Sequence, residues 1–524
     1  MGEFSEPSFT LHVPYLSDIV MRGLGSQDLR ATVISFASFS YSSLAQRFLS
    51  QCRANLYMVL SVLLAIGFRL LPVMASWPYA VGFDTTALYV PLMVNGPPSA
   101  YAIFTYPGLN SLIVWVGYQL EKQPFLVLDS IALTLQAGLA FSAYTYARSI
   151  VFLDKKYAFL TSVVFTLSPI TLRLTWDQYR ISICMILVMG ALAAMLSRSS
   201  RVRLLTIPLT VLVVLTNPLP SVFLLMTMIV QSLYAYVRKR PFRIALITSM
   251  IGAVIFAVQQ SFLAASGLLN TNVQLTFLGP VGGASQVLSG IAFLIFTSWP
   301  LLTFLPLVFR IRDSSPEAIW LLLIAFFAVG LLTTGIYAIP PPFIYFMASF
   351  PLSMFAGRAL RRYGKFRIFR LVFGVILVFL VVNAAAYLIS SPLTPMGYMA
   401  FGQPFRYYMP TGYLQSTIPI SYQKDLMELL TASMAVLPKD VTLYLPRQFY
   451  GLSLLVPNVQ QLLLVDIGEA NPWLPSPFDS IASRGSSFTI WFVRGSDWYG
   501  IHTLPLNFEA VQTQGQFALY QIVS

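Results

Sequence analysis

A few ionisable residues are notable for where they fall. Asp84 lies in the segment 77–93 that follows the apolar stretch 56–74, where the chain leaves the lipid. Arg69 lies inside that stretch, about three turns past its start at helical pitch. Arg173, Asp177 and Arg180 share the short segment RLTWDQYR between two further apolar stretches. Charge near hydrocarbon is costly and by default suggests function. Guanidinium groups match anionic oxygens through a planar fork of donors. Carboxylates and arginines on one otherwise uncharged face therefore point to a site for an anionic ligand. Each residue also has a plain structural use. Asp84 can cap a helix starting at Thr85, and Arg69 can snorkel to headgroups. Asp177 and Arg180, three apart, share a helical face and can pair if the helix begins near Trp176.

The elements that must position these residues are membrane helices. The 524 residues are 57% hydrophobic and 10% charged, whereas a soluble domain carries about a quarter charged residues. Apolar runs approaching the ~20 residues of a span recur along most of the chain. The expected spans are 56–76, 125–147, 157–172, 181–197, 204–217, 219–237, 244–263, 288–309, 318–338, 341–357 and 368–390. The fold expected is a polytopic α-helical membrane protein of about eleven spans. The stretch 101–120 is the one ambiguous case, and charge placement decides it. Without it, and with the N-terminus in the cytoplasm, the cytoplasmic loops hold Arg148, Lys155, Lys156, Arg198, Arg201, Arg203, Arg238, Lys239, Arg240, Arg243, Arg310, Arg312, Arg358, Arg361, Arg362, Lys365, Arg367 and Arg370. The outer loops hold only Lys122, Arg173 and Arg180, a ratio of eighteen to three. Including it would invert every later loop against the positive-inside rule. Tyr106-Pro107-Gly108 also breaks a continuous helix there, so 101–120 is expected along or dipping into the outer leaflet.

The net charge of +13 is thus mainly a topology signal, with attraction to anionic lipid headgroups as a by-product. It is not a nucleic-acid footprint. Two cysteines, Cys52 and Cys184, and two histidines, His12 and His502, exclude a Cys/His zinc cluster and a disulfide framework. No cleavable signal peptide is expected, since residues 1–55 are polar to mixed. The outer surface carries little charge: loop 264–287 has no ionisable residue, and 77–130 has Asp84, Glu121, Lys122 and Asp129.

After the last span, 391–420 is rich in Tyr, Pro and Gly, as suits an ordered segment resting on the outer surface. Residues 422–436 have helical spacing, and VTLYL, QLLLVDI, SFTIWFV and FALYQIV read as strands. A small α/β domain of about 100 residues is expected. His502 has no evident partner and is expected to be structural or exposed.

The order of these features resembles the GT-C superfamily of membrane glycosyltransferases, which use polyprenyl-phosphate-linked sugars of the dolichyl type. The resemblance rests on GFRLLP at 67–72 and on Asp84 followed five residues later by Tyr89. It continues through Gly96-Pro97-Pro98 and Tyr106-Pro107-Gly108-Leu109 to Trp176-Asp177-Gln178-Tyr179-Arg180. It covers about 56–200 by motif and the remainder by layout, and looks closest to archaeal and bacterial members. It implies a cytoplasmic segment 1–55, a transmembrane domain 56–390 with a first outer loop 77–124 of half-buried helices, and an extracytoplasmic domain 391–524. It implies a multi-pass protein of the cell membrane, acting on the cell-envelope side. Asp84 is then the base for an inverting transfer, and Asp177 orients an arginine or the acceptor. Arg180, with Arg69 or Arg173, binds the donor phosphate, while Tyr89, Tyr106, Trp176 and Tyr179 line the lipid or acceptor. The implied partners are a polyprenyl-phosphate sugar, the bilayer, an acceptor glycan, lipid or protein, and further membrane subunits. No metal cage is implied, although Asp84 and Asp177 leave room for one shared divalent ion. Two features depart from the pattern. Thr85 stands where mannosyl- and aminoarabinosyltransferases place a second carboxylate, and Asp497-Trp498-Tyr499-Gly500 matches the oligosaccharyltransferase sequon motif poorly. The missing second carboxylate after Asp84 and the acid-free loop 264–287 favour a non-catalytic subunit or lipid-handling scaffold as the alternative. A transporter fits less well, because the charges gather at the outer interface and not at the midplane.

Overall fold

The computed structural model describes residues 55–82, 85–105, 107–239, 242–265, 298–304, 315–334, 347–390, 420–439, 441–457, 459–467, 487–494 and 507–523, with single residues 295, 306, 478, 481 and 504. The chain falls into two units, Met1–Val59 and Leu60–Ser524. Only 55–59 of the first are described, and the architecture below is that of the second.

Among the described residues, five helices are long and apolar enough to cross a bilayer: Leu56–Ser76, Pro124–Ser149, Pro218–Val237, Arg243–Ala265 and Arg367–Ile389. At 1.5 Å per residue, such lengths match a hydrocarbon core of roughly 30 Å. A sixth span forms if Lys155–Thr166 and Pro169–Trp176, bent by 61°, are taken together. The chain is a multi-pass helical membrane protein.

Eleven separate spans do not follow from the described helices. Tyr179–Met195 has 17 residues and Thr206–Thr216 has 11. Of the span expected at 341–357, the described part from 347 on belongs to the helix Ser349–Tyr363, which carries Arg358, Arg361 and Arg362 and buries its apolar face in protein. Hydropathy cannot tell lipid-facing from protein-facing apolar residues, and here the bundle supplies the apolar surroundings. The expected span 288–309 lies largely outside the described residues, as do loop 264–287, segment 391–419 and His502.

The stretch 101–120 is broken into Ala100–Phe104 and Leu109–Leu120. The latter has 12 residues, about 18 Å, too short to span. Gly108 stands between them at φ +79. A side chain there would collide with the Leu215 carbonyl, so the sharp turn and the close approach both require glycine.

The bend at 166–169 also has a local cause. Pro169 occupies the first turn of the second half-helix, where its missing N–H costs nothing. Gln136, buried on the Pro124–Ser149 helix, satisfies polar groups on both sides of the break. Its Nε2 donates to the Thr166 carbonyl at 2.9 Å, and its Oε1 accepts from Thr175 Oγ1 at 2.8 Å. Irregular backbone at membrane depth is tolerated where protein groups complete its hydrogen bonds in this way.

At the opposite end of the bundle, Arg358 Nη2 meets the buried Glu317 Oε2 at 3.1 Å. Arg361 Nη1 donates to the Phe152 carbonyl at 2.9 Å. Removing one partner of a buried pair strands the other charge. Arg358→Ala should therefore lower stability by about 3 kcal/mol, near the bottom of the usual range because Arg358 keeps some solvent access. Thermal unfolding in detergent measures this, and an unchanged midpoint would mean that the pair holds nothing together.

Among the described residues of 420–523, the helix Ile420–Val436 packs against a five-stranded sheet ordered β2-β1-β3-β5-β4. The strands are β1 Thr442–Leu445, β2 Leu463–Asp466, β3 Ser487–Phe492, β4 Phe508–Gln514 and β5 Phe517–Ile522. β1 runs parallel to β2 and β3, and β5 is antiparallel to β3 and β4. Four strands fall on the four predicted runs. The fifth, β4, is an edge strand with mostly exposed, polar residues, so it carries no apolar signal. Central β3 is buried along its whole length.

Candidate functional site

The helix Leu56–Ser76 buries Ser61, Ala65, Arg69, Pro72 and Ser76, a stripe spaced three to four residues apart that faces the protein. Leu63 and Met74 lie on the outside. Arg69 therefore points into the bundle and is 1% exposed, which corrects the snorkelling alternative. Its guanidinium carbon stands 5.1 Å from the centroid of the Trp176 ring, and Trp176 packs in turn on Tyr387 at 5.1 Å. Among the described residues, nothing accepts a hydrogen bond from Arg69 Nε, Nη1 or Nη2. A buried cation whose three nitrogens meet no acceptor among the described residues is expensive. Stacking on Trp176 recovers only part of that cost.

Sequence reasoning passed over a second buried charge nearby. Asp129 is 3% exposed, and its Oδ2 has no hydrogen-bond partner among the described residues. Arg69 lies within its electrostatic reach without forming a bonded pair. From sequence, Asp129 is one more charge of the stretch 77–130, and nothing beside it in the chain marks it as buried. Asn110 is a further miss: it is fully buried, with neither amide atom partnered among the described residues.

The tyrosines join the first outer loop to this cluster. Tyr89, on a single π-helical turn Thr85–Tyr89, stacks on Tyr179 with centroids 4.7 Å apart and planes at 11°. The backbone N–H of Tyr179 donates to Tyr89 Oη at 3.2 Å, and Tyr179 Oη donates to the Leu128 carbonyl, also at 3.2 Å. That carbonyl belongs to the residue before Asp129, so the two tyrosines tie the loop to the helix that carries the buried acid.

The single helix expected to carry Asp177 and Arg180 on one face does not form. Asp177 ends the helix Pro169–Asp177, and Arg180 sits in the first turn of Tyr179–Met195. Gln178, at φ −92 and ψ 52, breaks the chain between them, so a spacing of three no longer implies a shared face. Arg173 is buried and Arg180 half-buried. The Asp177 side chain and the residues Asp84 and Tyr106 lie outside what is described. The helical turn after Asp84 does begin at Thr85. Among the described residues, no three of His, Cys, Asp and Glu gather as a metal-binding group.

Two further elements frame the site. An apolar cavity of about 310 Å³ lies between Leu109–Leu120, the start of Pro124–Ser149 and Ile183, with Glu121 at its edge. The sheet domain docks on the same end of the bundle: its helix Arg447–Ser453 packs on the Thr85–Tyr89 turn, and Phe125 packs against the domain core. Burial first, and the Glu428 carboxylate second, push the Tyr79 phenol above its ordinary value, so it remains neutral at this junction. Gly451 abuts the Thr86 carbonyl so closely that a Cβ would overlap backbone. Gly451→Val should therefore loosen the docking and raise amide hydrogen exchange across 85–94, while the sheet keeps its protection. Unchanged exchange there would show that the contact is dispensable.

No protein-family description matches the chain, and no curated protein does. Among solved structures it is similar to the arabinofuranosyltransferase AftD from Mycobacteria, at 12% identity and a TM-score of 0.46. That match covers 90% of this chain and 42% of the other, so this chain spans well under half the length of the protein it matches.

Proposed function

We propose that this chain is a membrane glycosyltransferase of the GT-C type, moving a sugar from a polyprenyl-phosphate donor to an acceptor. The observation that carries the reading is Arg69: a buried guanidinium braced on Trp176, with every nitrogen free to donate among the described residues. An anionic group is what such a site lacks, and phosphate oxygens fit the fork. The apolar cavity between Leu109–Leu120 and the start of Pro124–Ser149 suits the first part of a prenyl chain. Arg180 and Arg173 enter from the next segment, and Tyr89, Tyr106, Trp176 and Tyr179 make the lipid or acceptor wall.

In this reading Asp84 takes the proton of the acceptor hydroxyl as that oxygen bonds to the anomeric carbon. The polyprenyl phosphate departs with the electron pair of the broken C–O bond, and its charge is met by the arginines. Asp177 orients an arginine or the acceptor. The site end of the bundle faces outward, with the N-terminal segment 1–55 in the cytoplasm and the domain 391–524 outside. The basic residues Arg148, Arg358 and Arg361 at the other end accord with that orientation.

The test is lipid carriage. The full chain, purified in mild detergent, should retain a polyprenyl phosphate detectable by mass spectrometry, and adding a polyprenyl-phosphate sugar should raise its thermal midpoint. If no such lipid is retained and none stabilises the protein, the assignment fails.

A further inference from the structure

At the end of the bundle remote from Arg69, four helices enclose a second cleft. Its walls are the end of Tyr179–Met195, the short helix Ser200–Leu204, the end of Pro218–Val237 and the start of Arg243–Ala265, and its volume is about 540 Å³. Arg203 on Ser200–Leu204, Lys239 in the turn after Pro218–Val237 and Arg243 at the start of Arg243–Ala265 all line it. Arg203 Nε is buried with no hydrogen-bond partner among the described residues. The chain supplies nothing acidic to answer these cations locally, for the sequence has no Asp or Glu between Asp177 and Asp313. None of the three forms an ion pair among the described residues. Lys239 stands at φ 52, a left-handed conformation that non-glycine residues take up at a cost. That turn sets its ammonium beside the cleft, where Arg238 instead lies over the Tyr234 ring, 5.5 Å from its centroid.

We propose that this cleft binds the phosphodiester headgroup of an anionic phospholipid. Three cations with a polar wall at Gln231 suit a phosphodiester, which presents acceptor oxygens to guanidinium and ammonium donors. The rim argues for a lipid and against a soluble anion. Leu205, Tyr236 and Val237 are exposed around the same ends, in position to lie along acyl chains. Basic pockets between membrane helices recognise acidic headgroups in this way. The site is separate from the one around Arg69 and does not depend on the proposed transferase activity.

The full chain reconstituted in nanodiscs of phosphatidylcholine with a minority of phosphatidylglycerol tests the assignment. After transfer to detergent, native mass spectrometry should show phosphatidylglycerol retained in preference to phosphatidylcholine. In the Arg203→Gln/Lys239→Gln/Arg243→Gln variant, that preference should fall on the order of a hundredfold, from the usual worth of each basic residue near an acidic surface. Arg243→Gln alone lies at an exposed position, so it tests the same site without risk to the fold. It should give a partial loss, roughly severalfold. Inorganic phosphate is the competing arm and should not displace the lipid. Equal retention by wild type and both variants would overturn the proposal. So would complete displacement by inorganic phosphate, which would assign the cleft to a soluble anion.

Discussion

Arg69→Met should weaken polyprenyl-phosphate retention roughly ten- to a hundredfold, the equivalent of losing about one charge-assisted hydrogen bond. The same change should leave the thermal midpoint unchanged or raise it. Both halves follow from the geometry: Arg69 is 1% exposed and lacks a hydrogen-bond acceptor among the described residues, so in the ligand-free protein it costs desolvation and returns little. Replacing a buried, poorly compensated charge by an apolar side chain of similar length is commonly neutral or stabilising. A group kept at a stability cost is what a binding site requires. Arg69→Lys retains the charge without the fork and should fall between wild type and Met. Lipid mass spectrometry and thermal unfolding on the same preparations decide it. A large loss of stability with unchanged lipid retention would make Arg69 a structural residue, and the donor site would have to lie elsewhere.

Asp84→Asn should reduce transfer by about a hundred- to ten-thousandfold, the usual contribution of a general base. Stability and lipid retention should stay near those of wild type. Asparagine caps a helix about as well as aspartate, so the turn beginning at Thr85 keeps its start under either role. That makes the substitution selective between capping and catalysis. The measurement is turnover of a polyprenyl-phosphate sugar alongside lipid retention. Full turnover in the variant would remove Asp84 from the chemistry. A wild type that retains lipid yet never turns over, in company with an equally inert variant, would favour a scaffold that handles the lipid without reacting it.

Much of the helical frame was legible in the sequence because membrane helices are specified locally. Their composition alone satisfies the hydrocarbon, so 56–76, 219–237, 244–263 and 368–390 each fall on a described helix. The strands were legible for a similar reason wherever both faces are buried, as in Ser487–Phe492. The edge strand Phe508–Gln514 was not, since its outward residues are polar. Arg69 could be singled out from its position, yet only the packed bundle shows that it faces Trp176 rather than lipid. The small-residue stripe Ser61, Ala65, Pro72, Ser76 was a readable hint of that direction. The Asp177–Arg180 face dissolved for a reason periodicity cannot carry, because the break at Gln178 resets the helical phase. Asp129 and Gly451 were invisible for a deeper reason. Whether a carboxylate is a helix-end ornament or a buried charge depends on what packs over it, as it also does for a glycine facing solvent or the Thr86 carbonyl. Those packing partners come from segments 60 to more than 350 residues away in the chain. Local composition determined which segments enter the membrane, and only tertiary contact decided which polar groups are left without partners there.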